Sequence, residues 1–137
     1  MSGGKVFLDT NVFVYMYDAS EPKKKEISLS LLDANECVTS TQAINELNNV
    51  LTRKLKTPIS NVKQIIHDIH QVTSVRQIST DTILSALDIM EQYKYSYYDS
   101  LMIASALENG CVILFSEDMQ GGQLINSTLK MTNPYER

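Results

Sequence analysis

Short apolar runs alternate with amphipathic stretches along this chain. The run Val6-Phe7-Leu8 predicts a strand, and Asp9-Thr10-Asn11 predicts the turn that begins a helix after it. Later segments repeat this order. Further strands are predicted at residues 36–39, 75–78 and 112–116, and helices at 20–32, 39–54, 60–69, 80–90 and 96–107. Strands that alternate with helices imply right-handed crossovers, and therefore an α/β fold with a mostly parallel sheet.

The predicted helices carry start signals and apolar stripes. Three of them are expected to begin at Thr39, at Ser60, and at Thr80 or Asp81. The last helix begins with the capping-box spacing of Ser96 and Asp99 and ends at Gly110. In the helix before it, the apolar residues at helical spacing are Ile83, Leu84, Leu87 and Met90. We expect this stripe to face the core.

Composition places the chain among globular proteins with one domain. It has 137 residues, of which 43% are hydrophobic and 20% are charged. This apolar content suffices for a single core, and the five Gly and three Pro are scattered instead of marking a linker. We therefore expect one domain over residues 1–137. Cys37 and Cys111 lie in apolar contexts and are expected to be small buried residues, not metal ligands or a disulfide.

The charge balance and the apolar run lengths exclude two further classes. With 16 acidic and 12 basic residues the formal charge is −4, which argues against a protein that holds nucleic acid through a basic coat. It does not exclude a nucleic-acid enzyme whose own site is acidic. The apolar runs are too short to cross a bilayer, and the first residues lack the apolar segment of a signal peptide. We expect a cytoplasmic protein.

Four acidic residues are candidates for chemistry. In a parallel sheet, ligands bind in the crevice outside the carboxyl ends of the strands. Asp9 directly follows the first predicted strand, and Asp118 comes two residues after Ser116, where the last one ends. Glu46 and Asp99 lie on helices that flank such a sheet. Asp9 and Asp118 are therefore expected to point into one crevice.

Each of these acids, taken alone, has a purely structural explanation. Asp9 and Asp99 suit helix caps, Asp118 suits a turn, and Glu46 suits a solvated helix face. Together they sit in apolar or aromatic sequence, where an unpaired carboxylate is costly. Several carboxylates in one crevice raise each other's pKa, and a hard divalent cation with oxygen ligands relieves that repulsion.

Four segments, in order along the chain, carry a family resemblance. They are Val6-Phe7-Leu8-Asp9-Thr10-Asn11, Ile44-Asn45-Glu46-Leu47, Tyr97-Tyr98-Asp99-Ser100-Leu101 and Leu114-Phe115-Ser116-Glu117-Asp118-Met119. These segments resemble the motifs of PIN-domain nucleases, above all the VapC-like toxins of toxin–antitoxin pairs. The resemblance covers nearly the whole chain. It implies a PIN-like α/β/α sandwich of three layers, whose mostly parallel central sheet has about five strands.

The resemblance also implies a site and a reaction. Asp9, Glu46, Asp99 and Asp118 would form an acidic cluster that holds Mg²⁺ or Mn²⁺. Asn11 and Ser116 match polar positions that in the family orient those carboxylates. Many relatives carry a His-Gly pair where this chain has Gly121-Gly122, which bears on the geometry around the fourth acid and on the number of metals. The reaction implied is hydrolysis of RNA phosphodiester bonds that leaves a 5′-phosphate and a 3′-hydroxyl.

Two function classes follow from these observations. The first is a metal-dependent endoribonuclease, the toxin of a pair whose cognate antitoxin fills the crevice or an adjoining groove; relatives suggest a homodimer. The second is a non-catalytic PIN-like module that binds RNA or a protein. An aspartyl phosphatase would require a second Asp two positions after Asp9, where this chain has Asn11. Assigning four acids to one site leaves 16 − 4 = 12 elsewhere, which equals the number of basic residues.

Other charged and aromatic groups each have a functional and a structural interpretation. The basic segment 53–56 could contact RNA or simply suit a helix end, and Lys23-Lys24-Lys25 is expected to be a solvated face. His67 and His70 suit a polar helix face better than a metal site. The tyrosines at positions 93, 95, 97 and 98 could stack on RNA bases or pack a helix start. Tyr98 is expected to line the site wall.

Overall fold

The computed structural model describes residues 4–119 and 121–136. This part of the chain contains six strands and six α-helices: β1 Lys5–Leu8, α1 Thr10–Met16, α2 Pro22–Ala34, β2 Glu36–Ser40, α3 Thr41–Asn49, α4 Ile59–Val72, β3 Ser74–Arg76, α5 Thr80–Tyr93, α6 Tyr97–Glu108, β4 Ile113–Phe115, β5 Leu124–Ile125 and β6 Leu129–Thr132. A π-helical turn, Val50–Lys54, extends α3. Among the described residues, no helix is long and apolar enough to cross a membrane.

The strands form one sheet in the order β3-β2-β1-β4-β6-β5. All pairs are parallel except β5 with β6. The register pairs Leu8 of β1 with Phe115 of β4. The two strands therefore end side by side, and the residues that follow them meet at the same edge of the sheet. The predicted α/β class and the mostly parallel sheet are confirmed.

The sheet has six strands instead of the expected five or so, because the hairpin of β5 and β6 gives a weak sequence signal. The strand β5 has only two residues. Asn126 and Ser127 connect it to β6 with φ angles of 50° and 62°. Two central residues with positive φ suit a tight hairpin, but the usual marker of such a turn is Asn-Gly. Because Ser127 occupies the second position in place of glycine, the sequence does not reveal the turn.

Helices cover both faces of the sheet, as the three-layer prediction requires. Val6 and Leu8 of β1 face a core that is closed by α1, α2 and α4. Phe7, between them, faces a second core that is closed by α5 and α6. Alternate side chains of a strand point to opposite faces, so a continuous apolar run suits this doubly covered strand. Cys37 and Cys111 are buried free thiols, and burial raises the pKa of each to about 11.

The orientation predicted for α5 is wrong. The side chains that face the protein are Thr82, Ala86 and Ile89. The predicted inward stripe is instead exposed, by 37 to 56% of each side chain: Ile83, Leu84, Leu87 and Met90. The small residues on the buried face let α5 lie close to α6, where the Thr82 hydroxyl donates to Oε2 of Glu108 at 2.9 Å. The rule that apolar residues face inward therefore fails for most of this helix, because only Ile89 of its five large aliphatic side chains is buried.

The helix starts differ slightly from the predicted ones. Ser40, not Thr39, caps α3 and accepts a hydrogen bond from the Ala43 N–H. Thr39 instead donates from its hydroxyl to the Leu8 carbonyl at 2.9 Å. The helix α4 starts one residue before Ser60. Ser79 caps α5 in a capping box with Thr82. A Ser or Thr near a helix start has several possible partners, and packing decides among them.

Candidate active site

Asp9 lies at the carboxyl end of β1 and caps α1. Its Oδ1 accepts a 2.7 Å hydrogen bond from the Thr10 N–H, and its Oδ2 accepts a 2.8 Å bond from the Ser116 hydroxyl. The Asp9 N–H donates to the Phe115 carbonyl at 3.1 Å, which extends the pairing of β1 with β4. Only 7% of the residue is exposed. Asp9 is thus held rigidly, with both carboxylate oxygens engaged.

The pKa of Asp9 rises from 3.8 to about 6. Burial is the main cause, since it removes the charged form from water. The hydrogen bonds from Ser116 and Thr10 oppose this rise, while the charges of Glu46 and Asp99 add to it. A carboxyl group with this pKa is poorly compensated by the protein alone, which is the electrostatic state expected of a cation ligand.

Asp118 follows β4 and is fixed by two contacts. Its Oδ2 accepts a 2.6 Å hydrogen bond from Nδ2 of Asn11, and its N–H donates to the Ser116 hydroxyl at 3.2 Å. Burial, with smaller effects from Glu117 and Asp99, raises its pKa, while the bond from Asn11 lowers it. Asn11 therefore contacts Asp118, and Ser116 contacts both Asp118 and Asp9.

Glu46 and Asp99 approach the same region from two helices. Glu46 lies on α3, and its Oε2 accepts a 3.2 Å hydrogen bond from Nε2 of Gln42. Burial and the charge of Asp99 raise its pKa. Asp99 lies in the first turn of α6, where its N–H donates to the Ser96 hydroxyl. The charge of Asp99 raises the pKa of each of the other three acids, so each of them lies within electrostatic reach of Asp99.

The donor set suits a hard divalent cation, although it does not form a closed cage. Every candidate ligand atom is a carboxylate oxygen, the type that Mg²⁺ and Mn²⁺ prefer. In the described ranges, no three His, Cys, Asp or Glu side chains form a group that could hold one ion. Mg²⁺ commonly uses only one or two carboxylates and completes its shell with water and substrate phosphate. The residues present therefore fit an open site of this kind.

One network near the site has no sequence signal that would have revealed it. Nζ of Lys24 on α2 lies 2.5 Å from Oε2 of Glu117, the neighbour of Asp118. The Tyr15 hydroxyl donates to Oε1 of the same carboxylate at 2.5 Å. The Lys24 ammonium also lies 4.7 Å from the centre of the Tyr15 ring and 5.6 Å from that of Tyr135. Lys24 is thus not the freely solvated residue that the sequence suggested.

Of the tyrosines and histidines singled out from the sequence, some pack against other residues and others are exposed. The Tyr93 hydroxyl donates to Oδ1 of Asn126, and the Tyr95 hydroxyl donates to Oε1 of Gln123, so the two tyrosines tie the end of α5 and the connection to α6 to the terminal hairpin. Tyr98 is 57% exposed. The side chains of His67 and His70 are exposed along a groove between α3 and α4 and belong to no metal-binding group among the described residues.

The fold and the site define a class of α/β protein in which acidic residues meet at the carboxyl edge of a parallel sheet. The sequence profile of the PIN domain matches residues 6–120, and the chain belongs to this family. The predicted family is therefore confirmed. A search of curated proteins finds no significant match to the chain.

Solved structures with the same fold include three toxin–antitoxin proteins. VapC20 of Mycobacterium tuberculosis, a toxin that cleaves the sarcin-ricin loop, has a TM-score of 0.68 at 18% identity over 82% of this chain and 91% of its own. A toxin–antitoxin complex from Klebsiella pneumoniae has a TM-score of 0.71 at 17% identity, over 96% and 99%. VapBC2 of Rickettsia felis, bound to a DNA fragment of its promoter, has a TM-score of 0.67 at 15% identity, over 94% and 99%. The likeness to these structures is one of fold.

Proposed function

We propose that this chain is a metal-dependent endoribonuclease that hydrolyses RNA phosphodiester bonds in the cytoplasm. The observation that carries the proposal is the Asp9 carboxyl group, which is buried at the end of β1 and whose pKa is raised to about 6 by burial and by the charges of Glu46 and Asp99. Such a group destabilises the folded protein unless a cation compensates it. Membership of the PIN-domain family supports the same hypothesis of a nuclease.

The roles of the acids follow from their settings. Asp9 and Asp99 would be the principal ligands of Mg²⁺ or Mn²⁺, and Asp118 a further one. Glu46 would act as a ligand or as the base that orients the attacking water, and burial and the charge of Asp99 raise its pKa. The chemistry that a bound divalent cation supplies is polarisation of a phosphodiester oxygen and a lowered pKa of a water molecule.

The supporting residues hold these carboxylates in place. Ser116 contacts both Asp9 and Asp118, and Asn11 fixes the outer oxygen of Asp118. Ligand side chains that are already fixed lose little conformational entropy when a cation or substrate binds. We assign positioning roles to both residues.

The partner would be a cognate antitoxin, because the structural relatives include toxin–antitoxin complexes. We assign this partner to a groove of about 590 Å³ between α3 and α4. Its apolar wall consists of Ile44, Val62, Ile66 and Val75. Asn45 lines both this groove and the cleft that contains Glu46, so an antitoxin segment seated here would reach the acidic site.

A homodimer through the exposed stripe of α5 is the assembly that we propose. Leu84 and Leu87 are about half exposed at the centre of this stripe. In an antiparallel pair of α5 helices, Asp81 in the first turn would approach Lys94 just beyond the end of the second helix. This pairing joins opposite charges at both ends of a continuous apolar contact.

The alternative function is a non-catalytic PIN-like module that binds RNA or a protein. It draws on the finding that no three acids among the described residues are close enough to share one ion. In that case the acids would remain without a catalytic role, and divalent cations would not alter the protein.

Cleavage of single-stranded RNA tests the proposal. Purified protein should cut RNA in Mg²⁺ or Mn²⁺ and stop in EDTA, and Asp9→Asn should lower the rate by at least about 100-fold because a fixed ligand is lost. Asp33→Asn is the matched control, since Asp33 is exposed at the end of α2, next to the amino end of β2. Cleavage that continues both in EDTA and in the Asp9→Asn variant would contradict the proposal.

A further inference from the structure

A shallow cleft of about 410 Å³ lies beside the acidic site. Its lining consists of Gln42, Asn45, Glu46, Asn49, Val50 and Tyr98. Glu46 belongs to the acidic cluster, and Tyr98 directly precedes Asp99, so the cleft shares one wall with the proposed catalytic crevice. A substrate bound over the acids would therefore place its neighbouring groups in this cleft.

The charge of the cleft excludes phosphate as its ligand. Its lining contains no Lys or Arg, and its single charged residue is Glu46. A phosphate group would be repelled here, because desolvated like charges disfavour one another. A neutral group is the fitting occupant.

Tyr98 offers a stacking surface. Tyr98 is 57% exposed, so much of this aromatic residue is open to a ligand. The ring of Tyr97 packs against it edge-on, with 5.4 Å between ring centres and 61° between planes. Such a contact holds the Tyr98 ring in one orientation and leaves one face of it free. Proteins that bind unpaired nucleotides stack bases on aromatic faces of this kind.

Carboxamides on α3 complete the cleft. Asn45 and Asn49 are four residues apart, so they project from the same side of the helix. Both side chains are exposed, and within the described residues neither hydrogen-bonds to another group of the protein. Gln42 differs, because its amide already bonds Glu46. A free carboxamide offers one acceptor and two donors, the pattern that pairs with the edge of a nucleobase.

We propose that this cleft is a nucleobase subsite. One unpaired base of the RNA stacks on Tyr98, and its polar edge hydrogen-bonds to Asn45 or Asn49. The base held here sets the position of the scissile phosphate over the acids, and so decides where the RNA is cut. The cutting part of this inference rests on the proposed endoribonuclease function, whereas the binding part does not.

Mapping of cleavage sites on a pool of randomised single-stranded RNA tests the cutting part. The unaltered protein should show a base preference at one position near the cut. Asn49→Ala should flatten the preference at that position because a hydrogen-bond partner is lost. Tyr98→Ala should raise KM by about 10-fold through lost stacking, with kcat changed less. Tyr98→Phe keeps the ring and should behave like the unaltered protein.

Binding tests the subsite separately from cleavage. The probe is a fluorescein-labelled, unstructured 12-nucleotide RNA, measured by anisotropy with protein that carries Asp9→Asn. Adding Tyr98→Ala should weaken binding by about 10-fold, and adding Tyr98→Phe should not. This result supports the subsite even if the unaltered protein cuts no RNA, in which case only the proposed function fails.

Three results would overturn the inference. They are a uniform base distribution at every position around the cuts of the unaltered protein, unchanged cutting and binding in Tyr98→Ala, and equal losses in Tyr98→Ala and Tyr98→Phe. The second result would also be obtained if the cleft seated a side chain of a protein partner instead of a base. Because Tyr98 and Asn49 are exposed, the thermal midpoints of these variants should match that of the unaltered protein.

Discussion

Ser116 donates a 2.8 Å hydrogen bond from its hydroxyl to Oδ2 of Asp9, and so joins the ends of β4 and β1. The Ser116 hydroxyl oxygen in turn accepts a hydrogen bond from the Asp118 N–H at 3.2 Å. One buried hydroxyl thus orders two acids of the proposed site. The arrangement depends on the parallel pairing of Leu8 with Phe115, which brings residues 9 and 116 to the same sheet edge.

Ser116→Ala tests this link. The substitution removes a hydrogen bond that favours the charged form of Asp9, so we expect the pKa of Asp9 to rise above about 6. The free energy of unfolding at pH 7.5 should fall by about 1.5–3 kcal/mol, the usual range for a bond to a charged group. The loss should be smaller at pH 4, where Asp9 is protonated. Urea unfolding at the two pH values measures both effects.

Ser105→Ala is the matched control for that experiment. Ser105 is also buried, but within the described residues its hydroxyl has no hydrogen-bond partner. Its removal should leave stability unchanged or raise it slightly. Equal destabilisation by the two substitutions would mean that the bond to Asp9 contributes nothing specific.

Asp9→Asn should stabilise the protein at neutral pH when no divalent cation is present. The pKa of Asp9 is raised on folding from 3.8 to about 6, so ionisation at neutral pH destabilises the folded state. This cost grows as the pH rises from about 4 to 6 and stays constant above that. Asn avoids it, and we expect a gain of about 1–3 kcal/mol at pH 7.5 that disappears below pH 4. A gain that is independent of pH would contradict the assigned cause.

Divalent cations should stabilise the protein through the same carboxylates. A cation that binds only the folded state raises the thermal midpoint, and a concentration 100 times its Kd contributes about 2.7 kcal/mol. We expect millimolar Mn²⁺ to raise the midpoint at pH 7.5, less so at pH 5 because protonated Asp9 is a poor ligand. Asp9→Asn should reduce the shift and Asp33→Asn should not. No shift in the unaltered protein would favour the non-catalytic module.

Lys24→Met should lower RNA cleavage several-fold. Lys24 holds Glu117, the residue before Asp118, and its loss should let the segment after β4 move away from Asp9. Lys23→Met removes the same charge from an exposed neighbour on α2 and serves as the control. If Lys24 acts only by attracting RNA, both variants should lose activity equally and with the same salt dependence.

Leu84→Glu should convert the proposed homodimer to a monomer. A buried glutamate at the centre of the α5 contact would be costly to desolvate. Sedimentation velocity of the unaltered protein and the variant measures the change. Leu29→Glu is the control, because Leu29 is 42% exposed on α2, outside the stripe. A monomeric unaltered protein at micromolar concentration would contradict the dimer.

Much of the fold could be predicted because its signals are local. The apolar run of β1, the Asp9 cap and the Gly110 helix end each need only a few consecutive residues. Two features of the fold could not be predicted in this way. The turn at Asn126-Ser127 lacks glycine, and α5 exposes the four apolar residues that were expected to face inward. Periodicity reveals that a helix has two faces, but not which neighbour each face meets.

The sequence by itself determined the α/β class, the family and the positions of Asp9, Glu46, Asp99 and Asp118 along the chain, since strand, helix and cap signals act over short distances. Only the tertiary structure decided how these acids are supported. Asn11 reaches Asp118 across 107 positions of sequence, and Lys24 reaches Glu117 across 93. Such contacts form because parallel strands and a packed helix bring distant residues together, and no local pattern encodes that approach.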